Sequence, residues 1–293
     1  MIYHRPEMRL LIFGLGYSGT AIAHAAIAAG IPVTATSRSA NKPKTDGVAL
    51  IAIANASDAI SDATHIICTA PPDASGDPIL KLYRDAISTA PLVSWLGYLS
   101  TTGVYGDRNG DWVDERTPPA PGSDRSRWRV AAEQHWQDIA QQRPIDIFRL
   151  AGIYGPGRSA FDTLRAGRAL RVIKPGHAFG RIHRDDIARA VVAAMLQPYQ
   201  PGVRLFNLAD NEPAESADVL AEAARLLGVP PPPEVPFAQA WATMSPMARS
   251  FWAENRKVSS RWTQKTLGLT WRYPTYREGL RAILAEERGE RPT

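Results

Sequence analysis

The chain predicts an α/β fold, a doubly wound parallel sheet with a small C-terminal cap. Short apolar runs alternate with stretches of helical periodicity through the first half, a glycine turn closes the first of those runs, and the texture changes beyond residue 157.

The elements follow in order. Leu10–Phe13 is an apolar run that stops at a glycine and reads as the first strand. Tyr17–Ala29, rich in alanine and isoleucine, closes on Gly30, a residue that commonly terminates helices. Ile31–Thr36 is largely β-branched and reads as the second strand. Strand-like runs recur at Val48–Ile53, His65–Thr69, Leu92–Leu99 and Ile145–Leu150, with helices expected over Asp77–Ser88 and Arg125–Gln141. Further on, Arg158–Ala169, Arg184–Leu196 and Ala214–Leu227 have helical patterns, and Leu205–Leu208 reads as one more strand. The prolines at 230–233 form a stiff connector. Beyond them Trp241, Trp252, Trp262 and Trp271 supply too much apolar surface for a disordered tail. The expected division is 8–150 plus 181–212 as one domain and 151–180 plus 213–293 as a smaller lobe.

Composition narrows the function classes. Of 293 residues, 44% are hydrophobic and 22% charged, as in an ordinary globular protein. Cys68 is the single cysteine, so no intramolecular disulfide or cysteine metal cluster can form. The six histidines are scattered and no metal site is expected. The net charge of +5 is spread along the chain without dense basic blocks, which argues against nucleic acid as a partner. No apolar run reaches membrane-span length and the N-terminus lacks a signal-peptide pattern, so a cytoplasmic protein is expected.

Gly14-Leu-Gly16-Tyr17-Ser18-Gly19 is a G-x-G-x-x-G between a strand and a helix, the context in which this spacing binds a dinucleotide. Gly14 makes the tight turn, Gly16 lets the backbone approach a pyrophosphate, and Gly19 lets helix pack on strand. The helix start at Tyr17 and Ser18 offers its N–H groups to the phosphates. The sheet is therefore of Rossmann type. NAD binders usually carry an acid about 20 residues further on. This chain has no Asp or Glu between Glu7 and Asp46; Ser37-Arg38-Ser39 stands there instead, with Lys42 and Lys44 close behind. An arginine and two hydroxyls suit a ribose 2′-phosphate, so NADP is expected over NAD.

Four later motifs extend the pattern. Leu99-Ser-Thr101-Thr-Gly-Val-Tyr105-Gly106, Arg149-Leu-Ala-Gly-Ile-Tyr154-Gly-Pro-Gly157, Arg181-Ile-His183-Arg-Asp-Asp186 and Phe206-Asn-Leu-Ala-Asp210 occur in that order. Together they resemble the extended branch of the short-chain dehydrogenase/reductase superfamily, the NAD-dependent epimerase/dehydratase family. The resemblance implies a cofactor site that includes Thr69 and Ala70, a catalytic role for Thr101, and a cleft to which Tyr105, Tyr154, Arg158 and His183 contribute.

Two departures matter. Phe13 stands where the family's first glycine of G-x-x-G-x-x-G would be. The family's Tyr-x-x-x-Lys is missing: aligning on Ala131-Ala-Glu-Gln134 puts Arg129 at the lysine and Arg125 at the tyrosine, and no tyrosine in the chain has a lysine four residues later. This is the pattern of the family's atypical members. A guanidinium stays protonated and cannot trade a proton, but it can grip an anion in a bidentate fork. Arg129 is thus a candidate cofactor ligand, and Arg125 a substrate ligand alongside Tyr105 and Arg158. The candidates for catalysis are Thr101, Tyr154 and His183.

Two readings follow. One is an NADP-dependent oxidoreductase or epimerase of a small polar substrate, anionic or nucleotide-linked, with a homodimer as the candidate assembly. The other is a non-catalytic NADP-binding sensor or partner-binding protein.

Overall fold

The computed structural model describes residues 7–37, 45–140, 143–167, 169–198 and 200–290. It divides into two compact units. One comprises the described residues of Met1–Thr101, Asp124–Arg149 and Ile187–Phe206; the other comprises those of Thr102–Ser123, Leu150–Asp186 and Asn207–Thr293.

The chain opens with β1 (Leu10–Phe13), buried at every position as a central parallel strand is. There follow α1 (Tyr17–Ala28), β2 (Val33–Ser37), β3 (Val48–Ala52), α2 (Ser57–Asp62), β4 (His65–Cys68), α3 (Pro78–Thr89) and β5 (Trp95–Thr101). Next come β6 (Trp112–Val113), α4 (Asp124–Ala140), β7 (Pro144–Leu150), β8 (Gly152–Tyr154), α5 (Ala160–Arg165), β9 (Arg171–Ile173) and β10 (Arg181–His183). The remainder is α6 (Arg184–Leu196), β11 (Gly202–Leu208), α7 (Ser216–Leu227), β12 (Glu234–Pro236), α8 (Phe237–Thr243), α9 (Pro246–Trp252), β13 (Lys257–Val258), α10 (Arg261–Leu267) and α11 (Tyr276–Glu287).

Seven strands form one parallel sheet flanked by helices, in the order β11-β7-β5-β4-β1-β2-β3. The Rossmann-type α/β fold read from the sequence is the fold of the protein. β1 pairs with β2 on one side (Leu10 beside Val33) and β4 on the other (Leu10 beside His65), so the strand order reverses at β1. In sheets of this kind ligands bind beyond the carboxyl ends of the strands at that reversal.

The first unit buries Leu11, Phe13, Ile66, Leu96, Tyr98, Trp136, Ile145 and Ile147 in one core. Each large apolar side chain removed from water contributes about 1.5–3 kcal/mol. Polar groups inside it are paired. Asp77 caps α3 by accepting from the N–H groups of Ile79 (2.8 Å) and Leu80 (3.0 Å), and it also accepts from Trp136 Nε1 (2.9 Å). Asp146 accepts from Trp95 Nε1 (2.8 Å) and from Arg204.

The second unit holds three two-stranded parallel pairs, β8–β10, β9–β12 and β6–β13. Its core gathers Tyr154, Phe161, Ala223, Tyr276, Leu280 and Ile283. The segment 102–123 packs in this unit, where β6 finds β13.

Some boundaries differ from expectation. The helix expected over Arg158–Ala169 is confined to Ala160–Arg165, because Ser159 and Asp162 form a capping box that starts it late. The strand expected at Leu92–Leu99 runs instead from Trp95 to Thr101, carrying its ladder into polar Ser100 and Thr101. The six-residue α2 is too short to show a period and was not foreseen. Among the described residues no helix is long and apolar enough to cross a membrane, and no group of three His, Cys, Asp or Glu could hold a metal ion.

Candidate functional site

In the first unit the glycine turn joins β1 to α1. Gly14 has φ +97°, a conformation that side-chain-bearing residues rarely adopt, and a Cβ there would come within 2.9 Å of Thr69 Oγ1. Thr69, just beyond β4, donates to the Gly14 carbonyl at 2.5 Å, and Gly14 N–H donates to Thr36 Oγ1 at 3.2 Å. Three strand ends therefore lock the turn. A Cβ on Gly19 would collide with the Gly14 carbonyl oxygen, so α1 can start this close to β1 only with glycine there. At Gly16 a Cβ would meet nothing within 4 Å. Among the described residues that glycine answers no packing demand, and its open surround fits an approaching phosphate. No side chain caps α1 and its first turn holds no acid, leaving the positive end of the helix dipole unopposed. These features fit a dinucleotide pyrophosphate.

Tyr17 is partly buried and Ser18 is buried in the first turn of α1, and Ala70 follows Thr69 beyond β4. Ser37 ends β2 beside Ala52 of β3. Arg38, Ser39, Lys42 and Lys44 lie outside the described residues.

Thr101 is the last residue of β5 and is partly buried. Arg129 reaches the same strand from α4: its Nη1 donates to the Leu99 carbonyl at 2.5 Å and to the Tyr98 hydroxyl at 3.4 Å, with the guanidinium 5.7 Å from the Tyr98 ring centre. Burial pushes the Tyr98 phenol well above its ordinary range. Arg125, one helical turn before Arg129, is exposed. Beneath this end of β5, Ser100 Oγ donates to Glu133 Oε1 at 2.5 Å, and Arg149 grips the same carboxylate through Nε (3.1 Å) and Nη2 (2.8 Å). Both ion-pair side chains are only 4% exposed.

The remaining predicted residues belong to the second unit. Tyr105 is fully buried and donates to Asn207 Oδ1 at 2.8 Å. Tyr154 is buried, its hydroxyl against Gly279 of α11 and without a hydrogen-bond partner among the described residues. Burial, followed by the charges of Asp210 and Asp186, holds that phenol far above its usual range. His183 stands edge-on to Tyr154 with ring centres 5.1 Å apart. Its Nδ1 accepts from the Asp185 N–H at 3.2 Å, which leaves the proton of the neutral ring on Nε2. Burial lowers His183 to about 4, so the ring is neutral at pH 7. Arg158 is exposed on the turn in which Gly155 and Arg158 bridge.

Residues 10–209 match the family model described as the NAD dependent epimerase/dehydratase family. The chain belongs to that family. Protein YeeZ of Escherichia coli (strain K12) is 29% identical over 248 residues, covering 76% of this chain and 85% of YeeZ. A functionally unknown conserved protein from Silicibacter pomeroyi DSS is 42% identical, with TM-score 0.88 over 96% of this chain and 99% of that one. MoeE5 in complex with UDP-glucuronic acid and NAD shares the fold at 19% identity (TM-score 0.75, 96% and 99% covered). The human epimerase family protein SDR39U1 (isoform2) with NADPH does so at 19% (TM-score 0.72, 94% and 99%).

Within this epimerase/dehydratase frame, sequence reading passed over several polar residues. Glu133 and Arg149 lie in separate motifs, and nothing in one dimension shows that they pair across α4 and β7. The Asp186 carboxylate accepts from the N–H groups of Arg272 (2.7 Å) and Tyr273 (2.9 Å), 86 and 87 residues away. Asp210 is buried with Oδ2 unpartnered, and burial raises its carboxyl to about 8 despite nearby Arg181.

Proposed function

We propose that the first unit binds NADP and that the protein is an oxidoreductase or epimerase of a small polar, anionic or nucleotide-linked substrate. The observation that carries the reading is the glycine turn. Gly14 and Gly19 are demanded by the protein's own packing, whereas Gly16 is kept free beside an uncapped helix start. The choice of NADP rests on the stretch without acids between Glu7 and Asp46 and on Arg38 with Ser37 and Ser39. The human family member seen with NADPH and MoeE5 seen with UDP-glucuronic acid and NAD lend support from the same fold.

In this reading Tyr17, Ser18, Thr69 and Ala70 complete the pyrophosphate end of the site. Arg129 replaces the family lysine, its guanidinium steadied on the Leu99 carbonyl. Arg125 offers its fork to an anionic group of the substrate, with Arg158 as a second candidate. Bound NADP supplies two-electron redox chemistry. Thr101 orients the reacting oxygen with its hydroxyl, and Tyr105 supports the segment that follows it. Tyr154 and His183 make poor proton donors where they stand, one with its phenol raised by burial and the other neutral. The proton then comes from water or from the substrate itself.

The test has two readouts: NADPH absorbance during incubation with small carbonyl acids, which follows net reduction, and chromatographic detection of the epimer from UDP-sugars, because an epimerase returns its hydride and leaves the cofactor unchanged. Thr101→Ala should lower kcat, and Arg125→Ala should chiefly raise KM. A substrate whose turnover survives Thr101→Ala unchanged would remove the catalytic part of the reading. The alternative of a non-catalytic NADP sensor is favoured by one observation, the absent Tyr-x-x-x-Lys. Its signature is saturable NADP binding with neither NADPH consumption nor epimer formation across the whole panel.

A further inference from the structure

A cleft of about 360 Å³ lies wholly within the second unit, its lining including Trp112, Asp210, Asn211, Ser260, Arg261 and Gln264. At its rim Trp112 is 58% exposed on the short strand β6. An indole this open leaves a large apolar face in water, a cost that ring stacking relieves.

The polar lining is ordered by a closed chain of hydrogen bonds. The Trp271 N–H donates to Gln264 Oε1 at 3.3 Å, which fixes the orientation of that amide. Gln264 Nε2 accordingly donates to Asn211 Oδ1 at 3.1 Å and Ser260 Oγ at 3.3 Å. Ser260 is held in turn by Trp271 Nε1 (3.0 Å) and by its own donation to the Ala209 carbonyl (2.7 Å). With Asn211 Oδ1 accepting from Gln264 Nε2, the donor of this lining amide is its Nδ2. Arg261, exposed, adds a guanidinium. Asp210, the one acid in the lining, is held protonated at neutral pH by burial and does not oppose an anion. The groups that face it are Arg181, Glu212, Glu278 and Tyr154.

We infer that this cleft binds a planar ring carrying an anionic group, the ring stacked on Trp112 and the anion held by Arg261 and Asn211. The ligand is an aromatic carboxylate or a nucleoside monophosphate, which share that chemistry. The inference stands apart from the dinucleotide reading, because none of its residues belongs to the glycine turn.

The experiment is calorimetric titration of the full chain, saturated beforehand with NADP so that the first unit's site is filled. Benzoate and uridine 5′-monophosphate are the two ring-anion probes; uridine, benzyl alcohol, acetate and inorganic phosphate are the half-ligands. At least one ring-anion probe should bind about tenfold more tightly than either of its own halves. Trp112→Ala and Arg261→Ala should each weaken that probe by about fivefold or more, with Trp112→Phe retaining most of the affinity. Thermal melts of the same variants should match the wild type, which shows that they are folded whether or not a dinucleotide binds. Equal binding of whole and half-ligands, wild-type affinity in both alanine variants, or no saturable binding of either probe below about 10 mM would overturn the inference.

Discussion

A methyl group at Gly16 enters open space, whereas one at Gly19 runs into the Gly14 carbonyl oxygen. The two positions therefore predict opposite phenotypes. Gly16→Ala should leave thermal stability within about 0.5 kcal/mol of wild type while weakening dinucleotide affinity about tenfold or more. Gly19→Ala should lower stability and affinity together, since backbone must move to admit the Cβ. Paired thermal melts and NADP titrations separate them, and a Gly16→Ala protein that binds NADP normally would remove Gly16 from the site. The Glu133–Arg149 pair beneath β5 is buried. Glu133→Gln leaves an uncompensated guanidinium and should cost about 3–5 kcal/mol, read by urea denaturation. Adding Arg149→Met should recover a substantial part of that loss, because removing both charges removes the desolvation penalty with them.

Asp210 follows β11 and is faced by Arg181 of β10, Tyr154 of β8, Glu278 of α11, and Glu212. Its pKa rises from 3.8 to about 8 in the folded protein. Above pH 4 the unfolded chain gives up this proton while the folded one keeps it, so the group's contribution to stability falls as pH rises from about 4 to about 8 and is level beyond. Asp210→Asn keeps an acceptor for the Glu212 N–H and has nothing to ionise. The variant should melt above wild type at pH 8, by an amount that shrinks as pH falls toward 5. A constant difference across that range would show that Asp210 does not titrate in this window. Element boundaries in the second half were less legible than in the first. α5 is shortened by a capping box, and β8, β9, β10, β12 and β13 have two or three residues each, below the length at which alternation reads as a strand.

At the scale of the molecule, a ligand that binds only the folded chain raises its melting temperature by mass action. NADP at about 100 times its Kd should add about 2.7 kcal/mol, and NAD at the same concentration measurably less. Arg38→Ala should close that gap. Equal shifts from the two dinucleotides in the wild type would leave the family assignment intact and take away the NADP preference. The amino-acid sequence carries the α/β class, the order β1-α1-β2 around the glycine turn, and the family. These are local facts: period, turn chemistry and motif order are written in consecutive residues. It also exposed the missing Tyr-x-x-x-Lys, since an absence at fixed spacing needs no structure to be seen. Tertiary structure alone decided that Arg129 rests on the Leu99 carbonyl, that Glu133 pairs with Arg149, that the Tyr105 hydroxyl is taken by Asn207, and that Tyr154 and Asp210 are buried with their charged forms disfavoured. Each of those depends on partners tens of residues away and on the loss of water around them, and desolvation is a property of the packed chain that no window of sequence contains.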